Sequence, residues 1–156
     1  MPGSAFSETT RLAVPAGVAF DFLADPSTAR LIDPAIREYR PDTVPLRVGT
    51  RVRIRLRLWG LPVRAESVVR AESVVRAWDD GRRMVMESVR PSWPVRVVAT
   101  HSFAPDGDGC TYTWAVEVVP AGRLGRVVAR PLLRSLAANA RAQQIRFRTE
   151  VVRWPR

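Results

Sequence analysis

The chain has 156 residues, a length typical of one domain that buries about 70% of its unfolded surface. Hydrophobic residues make up 46% of the chain and charged residues 26%, which is the balance of a globular protein rather than a disordered one. The net charge of +10 comes from 25 arginines without any lysine, so Schiff-base chemistry is excluded and anionic partners are favoured. One cysteine excludes an internal disulfide, and no Cys/His cluster has the spacing of a metal site. We therefore expect one globular domain over residues 1–156, without a metal.

The N-terminal third predicts one strand and two short helices. Phe6 to Val14 has strand character, and Pro15 is suited to the first turn of a helix that ends near Asp25. A second short helix is predicted from Ser27 to about Ile36, and the proline-containing segment from Arg40 to Arg47 is predicted to be a loop. The chain has no signal-peptide pattern and no run of about 18 apolar residues, so we expect a cytoplasmic protein.

Residues 48–59 alternate, with almost no exceptions, between apolar and basic side chains, and this period of two indicates a strand with one buried face. One parity holds Val48, Thr50, Val52, Ile54, Leu56 and Leu58. The other parity holds Arg51, Arg53, Arg55 and Arg57. A helix would scatter these arginines around its circumference. The pattern therefore predicts a sheet that is apolar on one side only, and that side must be covered.

A tandem duplication follows, with RAESVV at 64–69 and again at 70–75. A strand accepts six extra residues without exchanging its faces, because six is an even number. We therefore predict a strand over residues 63–77, with the odd-numbered residues, from Val63 to Ala77, on the inner face. Fully extended, it would span about 50 Å at ~3.3 Å per residue, so we also expect strong curvature, a bulge or an overhanging end.

The last half predicts more strands and one long helix. The turn at Asp79–Gly81 precedes strands at 82–90, 95–103 and 110–119. From Arg123 to about Val152 the pattern is helical, and Pro131 is expected to kink or divide the helix. Its apolar stripe comprises Leu124, Val128, Leu132, Leu136, Ala140, Phe147 and Val151. A basic stripe comprises Arg126, Arg130, Arg134, Arg141 and Arg148. The order of elements predicts an α+β fold, an antiparallel sheet covered by helices on one face.

Four segments resemble the START/Bet v 1-like (SRPBCC) superfamily, and within it the polyketide cyclase/dehydrase and lipid-transport group. They are VPAGVAFDFLADP at 14–26, VGTRVRIRL at 48–56, WDDGRRMVME at 78–87 and DGDGCTYTW at 106–114. The resemblance implies a helix-grip fold, in which a curved sheet of about 6–7 strands wraps a long C-terminal helix and two short helices follow the first strand. It also implies an internal cavity that binds lipids, polyketides, plant hormones or quinones. A minority of members catalyse cyclisation or dehydration there.

His101 and Glu87 are the candidates for acid–base chemistry. His101 is the only histidine, and parity places it on the inner face. It is either a general acid or base or a hydrogen-bonded structural histidine. Glu87 faces inward if Val85 and Val89 do, which would make it a candidate base. If Met84 and Met86 face inward instead, Glu87 pairs with an arginine outside, and the pattern favours this arrangement.

Several aromatic residues and methionines are candidates to contact a ligand. They are Trp59, Met84, Met86, Trp93, His101, Tyr112 and Trp114. Tyr112 and Trp114 share the inner parity and suit either a ligand pocket or core packing. Trp59 and Trp93 lie in turns, where they would line the cavity mouth or cover the edges of the core.

These observations support two classes of function. The first is binding of a hydrophobic small molecule, lipid or polyketide-like, with cyclase or dehydratase activity left open. The alternative is a non-catalytic basic module that associates with an anionic membrane surface or another anionic partner. Nucleic acid is not favoured, since no aromatics are interleaved with the arginine row. No nucleotide-binding motif is present, so no cofactor is predicted, and the oligomeric state stays open.

Overall fold

The computed structural model describes residues 4–61, 64–90 and 93–155. For residues 58–61 and 64–70 it describes the backbone alone. The elements in chain order are β1 (Ser4–Leu12), α1 (Ala16–Ala24), a 3-10 turn (Pro26–Thr28), α2 (Ala29–Ile32), β2 (Ile36–Pro41), β3 (Arg51–Leu61), β4 (Arg64–Asp79), β5 (Arg83–Arg90), β6 (Val95–Asp106), β7 (Gly109–Pro120) and α3 (Gly122–Arg153). The described strands form one antiparallel sheet of seven, in the order β1-β7-β6-β5-β4-β3-β2. The predicted α+β helix-grip fold is confirmed.

The alternation in β3 has the predicted orientation. Val52 is fully buried and Ile54 is partly buried, whereas Arg51, Arg53 and Arg55 are exposed. The predicted strand begins too early, because Val48 lies in the loop before β3 and is exposed. The inner face of β3 is therefore apolar and its outer face basic.

The duplicated segment forms the single long strand β4, which pairs with β3 along residues 64–74 but with β5 only from Glu72 onward. The predicted irregularities are present, since the β4–β5 register shifts at Glu72/Ser73 and again at Val75/Ala77. The second shift changes the parity, so that Trp78 follows Val75 onto the inner face, opposite Met84. The prediction that Ala77 faces inward was wrong for this reason. Side chains of the first copy of the repeat lie outside the described part.

The prediction missed strand β2. Residues 36–41 form the edge strand next to β3, whereas the sequence pattern predicted the end of a helix followed by a loop. The strand is short, and Pro41 closes it at the edge of the sheet, where a missing amide hydrogen costs no ladder bond. The predicted second helix is correspondingly shorter and ends at Ile32.

Helix α3 packs its inner face against the sheet and is not divided at Pro131. Ala140, Phe147 and Val151 are buried as predicted, but Leu124 is exposed. Gly125 lies in the first turns of α3, where a Cβ atom would come within 2.3 Å of the Pro94 carbonyl oxygen. Only glycine permits this close approach.

Two clusters of buried side chains hold α3 on the sheet. The larger centres on Phe20, Phe22 and Phe147, and the smaller comprises Val95, Val118 and Ala129. Within the larger cluster, Phe22 packs edge to face against Phe147 with ring centroids 5.3 Å apart. Members of both clusters also border an internal cavity.

Candidate functional site

A cavity of about 280 Å³ lies between the inner face of the sheet and helices α2 and α3. Its volume is just below the range that is usual for ligand pockets, about 300–1,000 Å³. Its apolar lining includes Leu23, Ile32, Ile36, Ile54, Leu56, Met84, Met86, Val95, Val97, Val116, Leu132 and Leu136. Its polar lining includes Asp33, Tyr39, Ser73, Ser88, His101, Tyr112, Trp114, Asn139 and Gln143. The site is therefore an apolar chamber with a few polar groups at particular positions.

His101 on β6 and Tyr112 on β7 form the polar pair of the sheet wall. The His101 Nδ1 and Tyr112 Oη atoms are 2.8 Å apart. Burial lowers the pKa of His101 to about 4, because the cavity wall desolvates the imidazolium. The imidazole is therefore neutral near pH 7. Burial likewise raises the pKa of Tyr112, so its phenol stays protonated.

The neutral imidazole exists in two tautomers that differ in what His101 Nε2 presents. If Tyr112 Oη donates to Nδ1, the ring proton is on Nε2, which is then a donor. If Nδ1–H donates to Tyr112 Oη, Nε2 carries a lone pair and is an acceptor. The pair is therefore able to supply either half of a proton transfer.

Trp114 continues this wall. It lies directly opposite His101 in the β6–β7 register, with the two rings nearly parallel and their centroids 6.3 Å apart. Its Nε1–H is buried and has no hydrogen-bond partner among the described residues. An unsatisfied buried donor costs about 1–3 kcal/mol. Trp114 therefore lines the cavity, while its Nε1–H is enclosed by protein atoms.

One side of the cavity is bordered by polar contacts between α3 and the loop after α2. Gln143 Nε2 donates to Asp33 Oδ2 over 2.8 Å, and Ala35 N donates to Asp33 Oδ1 over 2.9 Å. Burial raises the pKa of Asp33, against the opposing effects of the Ala35 amide and the Arg146 charge. A second hollow of about 360 Å³ shares Asp33 and Gln143 with the cavity. Its other lining residues include Arg37 and Arg57.

Five of the predicted ligand-contacting residues line the cavity: Met84, Met86, His101, Tyr112 and Trp114. Trp93 does not line it and is 57% exposed, because the turn before Val95 directs it away from the core. The side chain of Trp59 lies outside the described residues, but its backbone belongs to β3, opposite Glu66, so the prediction that it lies in a turn was wrong. Whether the five residues bind a ligand stays a prediction.

Glu87 lies on the outer face of the sheet. Its carboxylate is 3.2 Å from Arg76 Nε and 3.3 Å from an Arg96 guanidinium nitrogen. Met84 and Met86 face inward, as the favoured of the two alternatives predicts. Glu87 therefore does not reach the cavity and is not brought together with His101.

Tyr39, Asp33, Asn139 and Gln143 line the cavity but were not predicted to do so. Tyr39 was missed together with strand β2, and burial raises its pKa to about 12. Asn139 and Gln143 lie four residues apart on α3, beside the apolar stripe. Polar residues at such spacing within a buried stripe were a signal in the sequence.

Within the described ranges, no group of three or more His, Cys, Asp or Glu side chains is placed to hold a metal ion. No helix there is both long enough and apolar enough to cross a bilayer.

Solved structures with this fold include aromatase/cyclases. The Zhui aromatase/cyclase from Streptomyces sp. R1128 superposes with a TM-score of 0.76 at 16% identity, covering 96% of this chain and 94% of that one. The di-domain ARO/CYC BexL from the BE-7585A biosynthetic pathway gives 0.73 at 22% identity. That match covers 97% of this chain, which spans only 51% of BexL. Norcoclaurine synthase from Thalictrum flavum gives 0.68 at 14% identity, covering 98% and 88% of the two chains.

At these identities the structural likeness establishes the fold alone. No match was found among curated protein sequences. The sequence model of one family, described as polyketide cyclase / dehydrase and lipid transport, matches residues 4–150. The match spans nearly the whole sequence and agrees with the helix-grip fold and its cavity, so the chain belongs to the polyketide cyclase / dehydrase and lipid transport family.

Proposed function

We propose that the protein binds a hydrophobic small molecule, lipid or polyketide-like, in the cavity beneath α3. The observation that carries this proposal is the apolar chamber of about 280 Å³ on the inner face of the sheet. Apolar surface removed from water contributes roughly 25 cal/mol per Å² to binding, before the costs of association. A ligand that fills the chamber gains affinity mainly from its hydrocarbon parts.

The polar groups of the wall define what the ligand carries besides hydrocarbon. His101 lines the cavity, and its Nε2 offers a hydrogen bond to a ligand oxygen. We therefore expect an apolar ligand with carbonyl or hydroxyl oxygens on one side.

The same wall supports aldol-type cyclisation as the reaction, if the ligand holds two carbonyl groups. Neutral His101 takes a proton from the carbon next to one carbonyl. The carbanion attacks the second carbonyl carbon, and the resulting alkoxide recovers the proton. Subsequent dehydration releases one water and forms a carbon–carbon double bond. Tyr112 acts here as a positioning residue, because its hydroxyl holds the imidazole at Nδ1.

Filling the cavity tests the binding proposal. Ala99 lies on the inner face of β6 between Val97 and His101, and Ala99→Phe places a ring in the chamber. The matched control is Thr100→Phe, one residue along on the opposite parity. We expect Ala99→Phe to weaken binding of the neutral dye Nile red at least tenfold and Thr100→Phe to leave it unchanged. Titration by fluorescence measures both, and circular dichroism checks the fold.

Equal dye binding by the two variants would overturn the cavity as the binding site. The catalytic part is separable from this result. His101→Gln is expected to retain Nile red binding and to lose the cyclisation of a poly-β-keto thioester, followed by mass spectrometry. Full activity in this variant removes His101 from the mechanism.

A further inference from the structure

The solvent-facing side of α3 carries a regular stripe that neither the core nor the cavity uses. We call it the outer stripe, and it comprises Arg123, Val127, Arg130, Arg134, Ala138, Arg141, Ile145, Arg148 and Val152. Successive members are three or four residues apart, so they fall on one side of the helix. All nine are exposed, including Val127 at 70%, Ile145 at 57% and Val152 at 59%. Arginines and aliphatic side chains are interleaved along its whole length.

The charge of this surface has one sign. Between residues 121 and 149 the sequence has seven arginines and no aspartate or glutamate. Among the described residues, no arginine of the outer stripe lies within ion-pair distance of a carboxylate. The outer stripe is therefore a cationic surface to which the described part of the fold supplies no counter-charge.

Folding gives no reason for this arrangement. Arg130 and Arg134 are four residues apart, a spacing at which like charges destabilise a helix. Arg123 lies in the first turn of the helix, where the partial charge of the N-terminus is already positive and no acidic residue is present. A stripe that lowers helix stability and faces solvent is best explained by a binding partner.

We propose that the outer stripe docks α3 on an anionic lipid bilayer surface. Guanidinium groups pair with lipid phosphates, while Val127, Ile145 and Val152 reach the boundary of the acyl chains. A nucleic acid would satisfy the arginines equally but would leave these aliphatic side chains against phosphate or water. The interleaved apolar residues therefore favour the bilayer.

This docking does not depend on the proposed ligand. The opposite face of the same helix, at Leu132 and Leu136, lines the cavity, so the docked helix lies between bilayer and chamber. Loss of Nile red binding in Ala99→Phe would leave the outer stripe intact. The two proposals therefore fail independently.

Vesicle co-sedimentation of the full chain tests the proposal. The vesicles contain phosphatidylserine and phosphatidylcholine in equal amounts, or phosphatidylcholine alone. The helix variant changes Arg130, Arg134 and Arg141 to Gln. The control variant changes Arg47, Arg53 and Arg83 to Gln, three exposed arginines outside α3, and so has the same net charge.

We expect the helix variant to lose roughly 100-fold in affinity for the anionic vesicles and the control variant to lose much less. Binding should fall as salt rises above about 0.1 M, where charges are screened beyond ~10 Å. Ile145→Ser should weaken binding several-fold and leave its salt dependence unchanged. Phosphatidylcholine alone should not be bound.

Three results would overturn the proposal. The first is equal loss in the helix and control variants, which would indicate attraction by net charge alone. The second is equal binding to both kinds of vesicle. The third is absence of vesicle binding together with salt-sensitive binding of duplex DNA, which would assign the stripe to nucleic acid instead.

Discussion

The outer face of the sheet and the outer stripe of α3 both carry arginines at regular spacing, yet their surroundings differ. On the sheet, Arg51 pairs with Glu72 over 2.8 Å, and Glu87 lies between Arg76 and Arg96. Helix α3 has eight arginines against one glutamate, a net charge of +7. The sheet is also cationic, but several of its arginines are paired with glutamates, whereas no arginine of the outer stripe has such a partner among the described residues.

This difference shows that the number of arginines alone does not indicate whether a surface binds an anionic partner. In the sheet, glutamates of the outer parity face arginines of neighbouring strands, and each such pair contributes about 0.2–1 kcal/mol. In α3 no arginine of the outer stripe has an aspartate or glutamate three or four residues away. An arginine row is therefore evidence for an anionic partner only where the fold supplies no carboxylates of its own.

The largest expected effect separates the two faces of α3 itself. Phe147 is fully buried and stacks on Tyr112 with ring centroids 4.7 Å apart, whereas its neighbour Arg148 is exposed. Phe147→Ala should lower the free energy of unfolding by about 3–5 kcal/mol. Arg148→Ala should change it by less than about 0.5 kcal/mol. Urea denaturation measures both, and a loss of several kcal/mol in Arg148→Ala would mean that the outer stripe supports the fold.

Much of this fold was predictable because its long elements are strongly periodic. The alternation of β3 and the stripe of α3 each extend over many residues, so a few exceptions, such as Leu124, do not obscure them. Strand β2 was missed because it is short, ends on Pro41 and is followed by a segment that contains Pro45. A bulge was among the irregularities predicted for β4, but its position at Val75/Ala77 was not predicted. Parity alone does not show where an extra residue is inserted.

The site was predictable where it depends on parity and not where it depends on loops. His101, Tyr112 and Trp114 alternate with outward residues on β6 and β7, so their orientation followed from the sequence. The contact between Asp33 and Gln143 joins residues 110 positions apart. No local pattern connects two such polar side chains, and only the docking of α3 brings them together.

The next largest expected effect is a pH dependence of the stability. Arginines do not contribute to it, because they keep their charge between about pH 4 and 7. His101 has a folded-state pKa of about 4, below its ordinary value of 6.5. Between these values the unfolded chain binds a proton that the folded chain does not, so stability falls as pH falls from about 6.5 to 4. We expect His101→Gln to reduce this loss by about 1–3 kcal/mol.

Thermal unfolding of both proteins across this range gives the comparison. Carboxylates that titrate in the same range are common to the two proteins, so the difference isolates His101. Parallel pH profiles for wild type and His101→Gln would show that the imidazole is hydrated in the folded state. Its assignment as a neutral group of the cavity wall would then be wrong.

The smallest effects have opposite signs on the two arginine surfaces. Glu87→Gln removes the partner of Arg76 and Arg96, and exposed ion pairs of this kind contribute about 0.2–1 kcal/mol each. It should therefore destabilise the fold slightly. Arg130→Gln relieves repulsion with Arg126 and Arg134 at i±4, worth about 0.2–0.5 kcal/mol, and should stabilise the fold, since Gln and Arg have similar helix propensities.

Denaturation at low salt measures both changes, and about 1 M salt should abolish them because charges are then screened beyond ~3 Å. Destabilisation by Arg130→Gln would show that the stripe contributes to folding, and the contrast between the helix and the sheet would then be one of degree.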